Sequence, residues 1–596
     1  MDNIEQFLKK SEGILEFLKR KTKIETDGVT VKFSHDRLLK VSGGKISVET
    51  DNVRDVLTGI SKYLSLNRPT EYSCRLPVSD KNVGFMLDCS RNAVMRIDKL
   101  KELAVILALF GYDRLMLYTE DTFEIEGEEY FGYMRGRYSI AEIRELDGFC
   151  SDIGMELVPC VQTLGHMASF RKWKSDIYDT NDILLADDEK TYEFLDKMFA
   201  SLRAAYSTHI VNVGLDEAPE LGTGKYAEKF GECDKGELFS RHLTRVSEIA
   251  KKYGFGIMAF GDMIKKFGAD KNSVTSESLK VICWNYYSTD KQHYLDEIDE
   301  CLKTGFDVVF AGGAWKWCGF IPMNRTSIAT IKPALEACAQ RNIKEFQLTA
   351  WGDGGGECPA YSVLPAISFF AGTINSVSES ERNNLFKEIT GILFEEYLTL
   401  DLPYRLPEDN DEWANPAKYM LFNDPLLGQF DCFVGDEDGS IYKKYSERIK
   451  KAGKNCKFGI LFKEATALCD VMELKYSLGI RLRKAYAEKD KETLSKCLKE
   501  IRLIIGRVQR FYDLFSEMWF AYNKPQGFEV QDIRFGGLLQ RLKTAERRLK
   551  GYLDGDICCL EELEETLLDV MGGGKKLYGK PIVNNDWKQV VTTNVL

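Results

Sequence analysis

The sequence predicts an α/β protein, a (β/α)8 TIM barrel with a small N-terminal α+β domain ahead of it and a helical C-terminal domain behind. Three observations predict it. Short β-like runs bounded by turn residues open the chain, apolar runs alternating with amphipathic helical stretches fill its middle, and after about residue 380 an apolar period of helical spacing takes over. At 596 residues the chain is too long for one ordinary core. The expected domains are 1–80, 81–380 and 381–596.

The first domain reads as an opening helix, then the runs VTVKFS, LLKVS and KISVET, then a helix in DNVRDVLTGISKYL. The stretch NRPTEYSCRLPVSDKN, polar and proline-containing, reads as a linker. Eight apolar runs follow: GFMLD (84–88), DRLMLYTE (113–120), MELVPCVQ (155–162), HIVNVGLDE (209–217), GIMAFGDM (256–263), KVICWNYY (280–287), DVVFAGGAW (307–315) and EFQLTAWGD (345–353). Near-continuous apolar strands alternating with helices indicate a parallel sheet covered by helices, and eight such units fit a closed barrel. A doubly wound open sheet is the alternative, but no GxGxxG follows the first strand.

Beyond residue 380 the stretches KFGILFKEATALCDVMELKYSLGIRLRKAYAEK and KETLSKCLKEIRLIIGRVQRFYDLFSEMWFAY carry apolar residues at helical spacing. Two segments, LPYRLPEDNDEWANPAKYMLFNDPLL and NKPQGFEVQDIRFGG, read as irregular interruptions, suited to packing on the barrel or to a homodimer contact.

Composition narrows the partners. With 44% hydrophobic and 29% charged residues the chain has a globular balance, and no segment reaches the roughly 18 consecutive apolar residues of a membrane span. A net charge of -11 spread along the chain argues against a nucleic-acid or anionic-membrane surface. The early acids of MDNIEQFLKKSEGILEFLKR do not make a signal peptide, and the 16 scattered cysteines read as buried thiols, so a cytoplasmic protein is expected. Five histidines without paired ligand spacing and the absence of CxxC predict neither a metal nor another cofactor.

A barrel builds its site at the carboxyl ends of its strands. Those ends carry Asp88 and Arg91; Glu120 and Asp121; Gln162 and His166; Asp216 and Glu217; Asp262; Trp284, Asn285, Tyr286 and Tyr287; Trp315 and Trp317; Trp351 and Asp353. Acids, amides and aromatic rings on one rim describe a sugar pocket, where rings stack on apolar sugar faces and planar polar groups take the hydroxyls. Glycoside hydrolysis needs an acid and usually a second carboxylate about 5 to 9.5 Å away. Strand seven supplies none, so the doublet Asp216–Glu217 has to serve as a pair. Neighbours at a strand end point in different directions. One can face the leaving oxygen and the other a substituent of the same sugar, which suits substrate-assisted catalysis by a 2-acetamido group.

Four segments resemble glycoside hydrolase family 20, the β-N-acetylhexosaminidases: GFMLDCSR, TLGH, GLDEAPELG and AWGD. The segment GLDEAPELG, similar to the family's Asp-Glu signature, is the most specific of them. YTEDTFEI with FGYMRGRY resembles a divergent branch that includes hexosaminidase D-like proteins. The resemblance covers about residues 1 to 375.

It implies an exo-acting retaining β-N-acetylhexosaminidase that takes a terminal β-linked GlcNAc or GalNAc from an oligosaccharide or glycoconjugate. At the matching positions, Glu217 protonates the departing oxygen. Asp216 orients the acetamido group and stabilises an oxazolinium intermediate, and Arg91 binds the 3- and 4-hydroxyls. His166 supports a pocket acid, Trp351 walls the pocket, and Asp353 stands where the family usually has a Glu on outer hydroxyls. An apolar or aromatic surround is expected to keep Glu217 protonated, while Asp216 stays ionised. The family's strand-seven Tyr is absent, which leaves its acetamido hydrogen bond to Tyr286, Tyr287 or the indole of Trp315. Trp284 is a further candidate for the pocket wall, and Glu120 stands between a substrate contact and a structural pair. A sugar-binding barrel of the same fold with weak or no activity is the alternative function.

Overall fold

The computed structural model describes residues 2–268, 274, 279–405, 415–434 and 439–568. It divides into two compact units, one comprising 1–314, 326–351 and 366–389, the other 315–325, 352–365 and 390–596.

The first unit opens with the helix Asp2–Phe17 and a four-stranded sheet of β1 (Val29–Phe33), β2 (Leu38–Ser42), β3 (Lys45–Thr50) and β4 (Glu71–Arg75), in the order β1-β3-β2-β4. Period-two alternation buries Leu39, Val41, Ile46 and Val48. The helix Val53–Ser65 buries Val56, Leu57, Ile60 and Leu64, and its first turn is capped by the Asn52 side chain, which accepts the Arg54 N–H at 3.0 Å. The expected linker is only partly one. Its residues Glu71–Arg75 pair antiparallel with β2, with Tyr72 and Cys74 half-buried between exposed neighbours.

The eight expected barrel strands are all present as β5 (Asn82–Asp88), β6 (Arg114–Tyr118), β7 (Glu156–Cys160), β8 (Ile210–Asn212), β9 (Gly256–Phe260), β10 (Leu279–Trp284), β11 (Asp307–Gly313) and β12 (Glu345–Ala350). Each pairs in parallel with the next, and β12 closes on β5. Most are shorter at the carboxyl end than the apolar runs suggested; β8 stops at Asn212, before the Asp216–Glu217 doublet. Those extra residues belong to the rim, where the chain leaves the sheet.

Alternate residues face inward and stack in layers. Met86, Met116, Val158, Met258, Ile282 and Val309 form the apolar middle, with Tyr118, Cys160, Phe260 and Ala311 above and Trp284 and Trp351 packed against them. At the amino end, in step with the inward set, Arg114 donates to Glu156 at 2.7 Å and to Glu345 at 3.0 Å, and Glu345 also pairs with Lys280. The barrel is thus closed at one end by a set of neutralised charges.

The second unit is helical, with Gly459–Lys475, Leu478–Ala487, the 32-residue helix Lys491–Tyr522 and the 27-residue helix Phe528–Asp554. The segment NKPQGFEVQDIRFGG is not irregular beyond Gly527, since Phe528 begins that last helix. Residues 406–414, part of the other expected interruption, lie outside the described residues, and 416–422 within it are helical. Among the described residues no helix is long and apolar enough to cross a membrane. All sixteen cysteines are free thiols, ten of them buried.

Candidate active site

The inward set of the strands continues past their ends into the polar rim. Strand register places Asp88, Tyr118, Cys160 and Asn212 at one level. Above it, Gln162 Nε2 donates to Tyr118 Oη and to Asp216 Oδ1, each at 2.9 Å. Gln162 can lie there because residue 214 is glycine: at its φ of +72° a Cβ would come 2.0 Å from Gln162 Oε1. The chain then turns sharply, with Leu215 at φ +67° and Glu217 at +49°. Glu120 and His166, at +41° and +55°, share this left-handed region. Such backbone costs about 1–3 kcal/mol per residue and collects at functional sites.

Asp216 is buried, and its second oxygen lies 3.4 Å from His166 Nε2. Burial opposes ionisation of Asp216, but His166 and Gln162 outweigh it and hold the carboxyl below its usual range. Reciprocally, burial pulls His166 down while the Asp216 carboxylate lifts it further, to about 9. Near neutral pH the pair is imidazolium against carboxylate.

Glu217 lies at the exposed edge of this cluster. Its side chain is 59% exposed, with Oε2 3.6 Å from His166 Nε2. The expected apolar enclosure is therefore absent, because the left-handed turn at Glu217 carries its carboxyl outward while Asp216 stays inside. Its backbone is held all the same, the N–H donating to Asp262 Oδ2 at 2.9 Å. Burial raises the Asp262 carboxyl above the usual range, against the Glu217 N–H and the Trp284 indole, which favour its charged form.

On the opposite side, Arg91 Nη1 donates to Asp88 Oδ2 at 2.8 Å, and Nη2 lies 3.1 Å from Glu120 Oε1. Its guanidinium lies over the rings of Tyr118, at 5.0 Å, and Trp351, at 5.3 Å. Burial pushes Glu120 up to about 7 against the pull of Arg91, whereas Asp88, equally buried, is held low by Arg91 and Ser90. Asp121 pairs with Arg135 instead.

The structure thus brings together Asp216, Glu217, His166, Arg91, Glu120 and Trp351. Trp351 is half-buried, its ring edge-on to Tyr118 at 4.7 Å. Trp284 stacks on Tyr286 at 5.5 Å, and Tyr286 meets Tyr287 at 5.9 Å. Trp315 and Asp353 belong to the second unit, where Trp315 is buried and stacked on Trp317 at 4.8 Å and Asp353 is half-buried. Two contributors escaped the sequence reading. Tyr118 looked like one more apolar strand residue, yet its hydroxyl joins Gln162 to Glu120, to which it donates at 3.1 Å. His242, buried and driven down to about 4, bonds through Nε2 to the Thr163 carbonyl at 2.9 Å, and the Thr163 hydroxyl donates to the Val213 carbonyl. His242 thereby ties the loop after β7 to the chain before the doublet. Its place on the buried face of the helix Lys235–Lys252 was the available signal.

Chemically, the rim offers an exposed carboxyl next to a buried carboxylate fixed on both oxygens, with a guanidinium and rings close by. Among the described residues no group of three or more His, Cys, Asp or Glu is placed to hold a metal ion.

Residues 395–579 match the model of the Glycoside Hydrolase 20C C-terminal domain. The chain is 24% identical over 322 residues to a β-hexosaminidase of Vibrio furnissii, covering 47% of this chain and 49% of that protein. It is 21% identical over 252 residues to hexosaminidase D of Bos taurus, covering 40% of this chain and 73% of that one. The chain thus spans about half the length of the Vibrio relative. In fold it resembles the chitobiase of Flavobacterium johnsoniae, with a TM-score of 0.50 and 14% identity over 98% of this chain and 93% of that one. It also resembles the exo β-N-acetylglucosaminidase of Vibrio harveyi in complex with N-acetylglucosamine, with a TM-score of 0.50 and 15% identity over 64% of this chain and 71% of that one.

Proposed function

Since the chain belongs to the glycoside hydrolase family 20 β-hexosaminidases, as a distant relative of hexosaminidase D and of bacterial β-hexosaminidases, we propose that it is an exo-acting retaining β-N-acetylhexosaminidase. It releases terminal β-linked GlcNAc or GalNAc by substrate-assisted catalysis. The observation that carries this reading is the contrast within the doublet: Asp216 is buried, ionised and held on both oxygens, while the adjacent Glu217 carboxyl is exposed to an incoming group.

In this reading the acetamido carbonyl oxygen attacks the anomeric carbon as the glycosidic C–O bond breaks, and Glu217 gives its proton to the departing oxygen. Asp216 accepts a hydrogen bond from the acetamido N–H and balances the positive charge of the oxazolinium ring. Having lost its proton, Glu217 then takes one from water, whose oxygen attacks the same carbon and opens the ring with retained configuration. The sugar supplies the cover that the protein leaves off Glu217, and desolvation by the substrate favours the protonated acid. His166 keeps Asp216 charged, and Arg91 and Asp353 take outer hydroxyls. Trp351 and Trp284 offer ring faces, and Tyr286, Tyr287 or Trp315 supplies the acetamido hydrogen bond. Buried free thiols support a reducing compartment such as the cytoplasm.

The test is a panel of nitrophenyl N-acetylhexosaminides with a thiazoline inhibitor. Turnover of N-acetyl substrates with strong thiazoline inhibition is expected. Equal cleavage of plain glucosides would sink the acetamido mechanism, and binding of N-acetylglucosamine without turnover would make the chain a sugar-binding barrel.

A further inference from the structure

Within the first unit, the N-terminal sheet domain meets the barrel around a cleft of about 710 Å³, all of whose lining residues belong to that unit. Its walls are the helix Val53–Ser65, β4 with the segment 77–81, the end of the helix Ile97–Phe110, and the helices Leu364–Ile374 and Glu379–Thr390. Lys81 immediately precedes β5 and Gly111 lies just before β6, so the cleft borders the amino end of the barrel, away from the rim that carries Asp216 and Glu217. Direct bonds hold the walls together. Ser61 Oγ donates to the Leu109 carbonyl at 2.7 Å, Lys81 Nζ donates to the Ile374 carbonyl at 2.8 Å, and Lys62 pairs with Glu381 at 2.5 Å. A pre-formed cavity of this size, where two parts of the fold meet, suits a small metabolite.

The charge of the cleft runs against that of the chain. The whole protein carries -11, yet six cationic side chains line the cleft against three acidic ones. Each of those acids is already engaged. Asp55 accepts two bonds from Arg37 at 2.6 Å, Glu381 holds Lys62, and Asp80 pairs at 2.6 Å with Lys344, which lies outside the lining. No lining acid is left for Arg54, Arg75, Lys81 and Arg382. Arg54 has Asp113 at 3.6 Å behind it, and Arg382 lies half-buried over the Phe369 ring at 5.1 Å. On the same surface the Ser368 hydroxyl is buried without a hydrogen-bond partner among the described residues, a state that a ligand would relieve. Val78, Phe110 and Leu385 give the cleft an apolar side. Several cations in excess suit a dianion better than a single carboxylate, and a phosphate monoester brings close to two charges and three acceptor oxygens at neutral pH.

We propose that this cleft is a second ligand site, which binds a metabolite carrying a phosphate monoester on a ring. The phosphate meets the charge of Arg54, Arg75, Lys81 and Arg382, the ring lies along Val78, Phe110 and Leu385, and the Ser368 hydroxyl hydrogen-bonds a polar atom of the ligand. A sugar phosphate and a nucleoside monophosphate share this chemistry. Binding here uses no group of the rim, so it holds whether or not the chain is a hexosaminidase.

The full-length protein is titrated by calorimetry with glucose 6-phosphate, adenosine monophosphate, inorganic phosphate and glucose, with melting curves alongside. At least one of the two esters is expected to bind with a Kd below about 1 mM, more tightly than inorganic phosphate, and to raise Tm, while glucose does neither. The tighter ester tells a sugar ligand from a nucleotide. Arg75→Glu, at an exposed strand position, should weaken binding at least about tenfold. Ser368→Ala should weaken it about fivefold without lowering Tm, since that hydroxyl has no bond in the protein to lose. Lys81→Gln carries the charge test if Arg75→Glu fails to fold. Bound ester should also slow alkylation of Cys74, a half-buried thiol of the lining, read peptide by peptide by mass spectrometry. A Kd above about 1 mM for both esters, glucose binding as tightly as its phosphate, wild-type affinity in the folded charge variants, or binding that leaves Cys74 unprotected would each overturn the proposal.

Discussion

The two ends of the barrel use the same kinds of side chain for opposite purposes. At the amino end, Arg114, Glu156, Glu345 and Lys280 pair off, and Arg114 is held above its usual range and Glu345 below it, so both are kept in their charged forms. At the carboxyl end Glu120 is pushed to about 7, His166 to about 9, and burial lifts Asp262 above its usual range. Four non-glycine residues there, Glu120, His166, Leu215 and Glu217, hold left-handed backbone. At the amino end charge is compensated locally. At the carboxyl end it is left partly uncompensated on strained backbone, the arrangement that the proposed chemistry would call for.

The hardest blow to the upper end should come from Glu217→Gln. Because that side chain is 59% exposed and makes few demands on the fold, kcat on an aryl N-acetylglucosaminide should fall about 10³-fold, or about 4 kcal/mol of barrel-borne transition-state stabilisation, with the melting temperature nearly unchanged. Asp216→Asn should lose about 10²-fold and also destabilise, since it leaves His166 facing an amide. Turnover by Glu217→Gln close to that of the wild type would remove Glu217 from the mechanism.

The lower end should answer in the opposite sense. Arg114→Met takes from Glu156 and Glu345 the cation they share, leaving Glu345 with Lys280 and Glu156 with the Thr208 hydroxyl, and should cost about 1.5–3 kcal/mol of stability, read as a drop of several degrees in Tm. Its kcat/KM at a temperature where it is folded should stay within about twofold of wild type. A variant that kept its Tm and lost activity would break the division between the two ends.

How much of this division was legible depended on the kind of signal each part sends. The barrel strands are short apolar runs at regular intervals, and burial on both faces makes such runs stand out. β4 did not stand out, because Glu71, Ser73 and Arg75 face solvent and prolines flank the strand. The helix starting at Phe528 was hidden by Gly536 and Gly537, whose Cβ positions are open space, so that glycine there disturbs no packing. In the site, the doublet, Arg91 and His166 were readable as residue types at strand ends. The exposure of Glu217 was not, because it follows from three left-handed residues at 214, 215 and 217 that spacing alone does not announce. Tyr118 became a site residue only through register with Asp88 and Cys160.

The finest distinction between the two ends lies in their response to pH. A group whose folded pKa is raised contributes stability that is fully present below its unfolded pKa and is lost as pH rises through the folded value. Glu120 should therefore withdraw its contribution between about 4.5 and about 7, and His166 between about 6.5 and about 9. Glu345, lowered, keeps its contribution throughout that range and loses it only in acid. Melting curves from pH 5 to 10 should then show two successive losses in the wild type. Glu120→Gln should abolish the lower and His166→Gln the upper, while the Tm deficit of Arg114→Met should stay flat between pH 5 and 9. Glu120 also changes the neighbourhood of Arg91 as it ionises, so log KM should bend near pH 7 in the wild type and run straight in Glu120→Gln. A bend that survived the substitution would assign it to another group and leave Glu120 as a structural partner of Arg91.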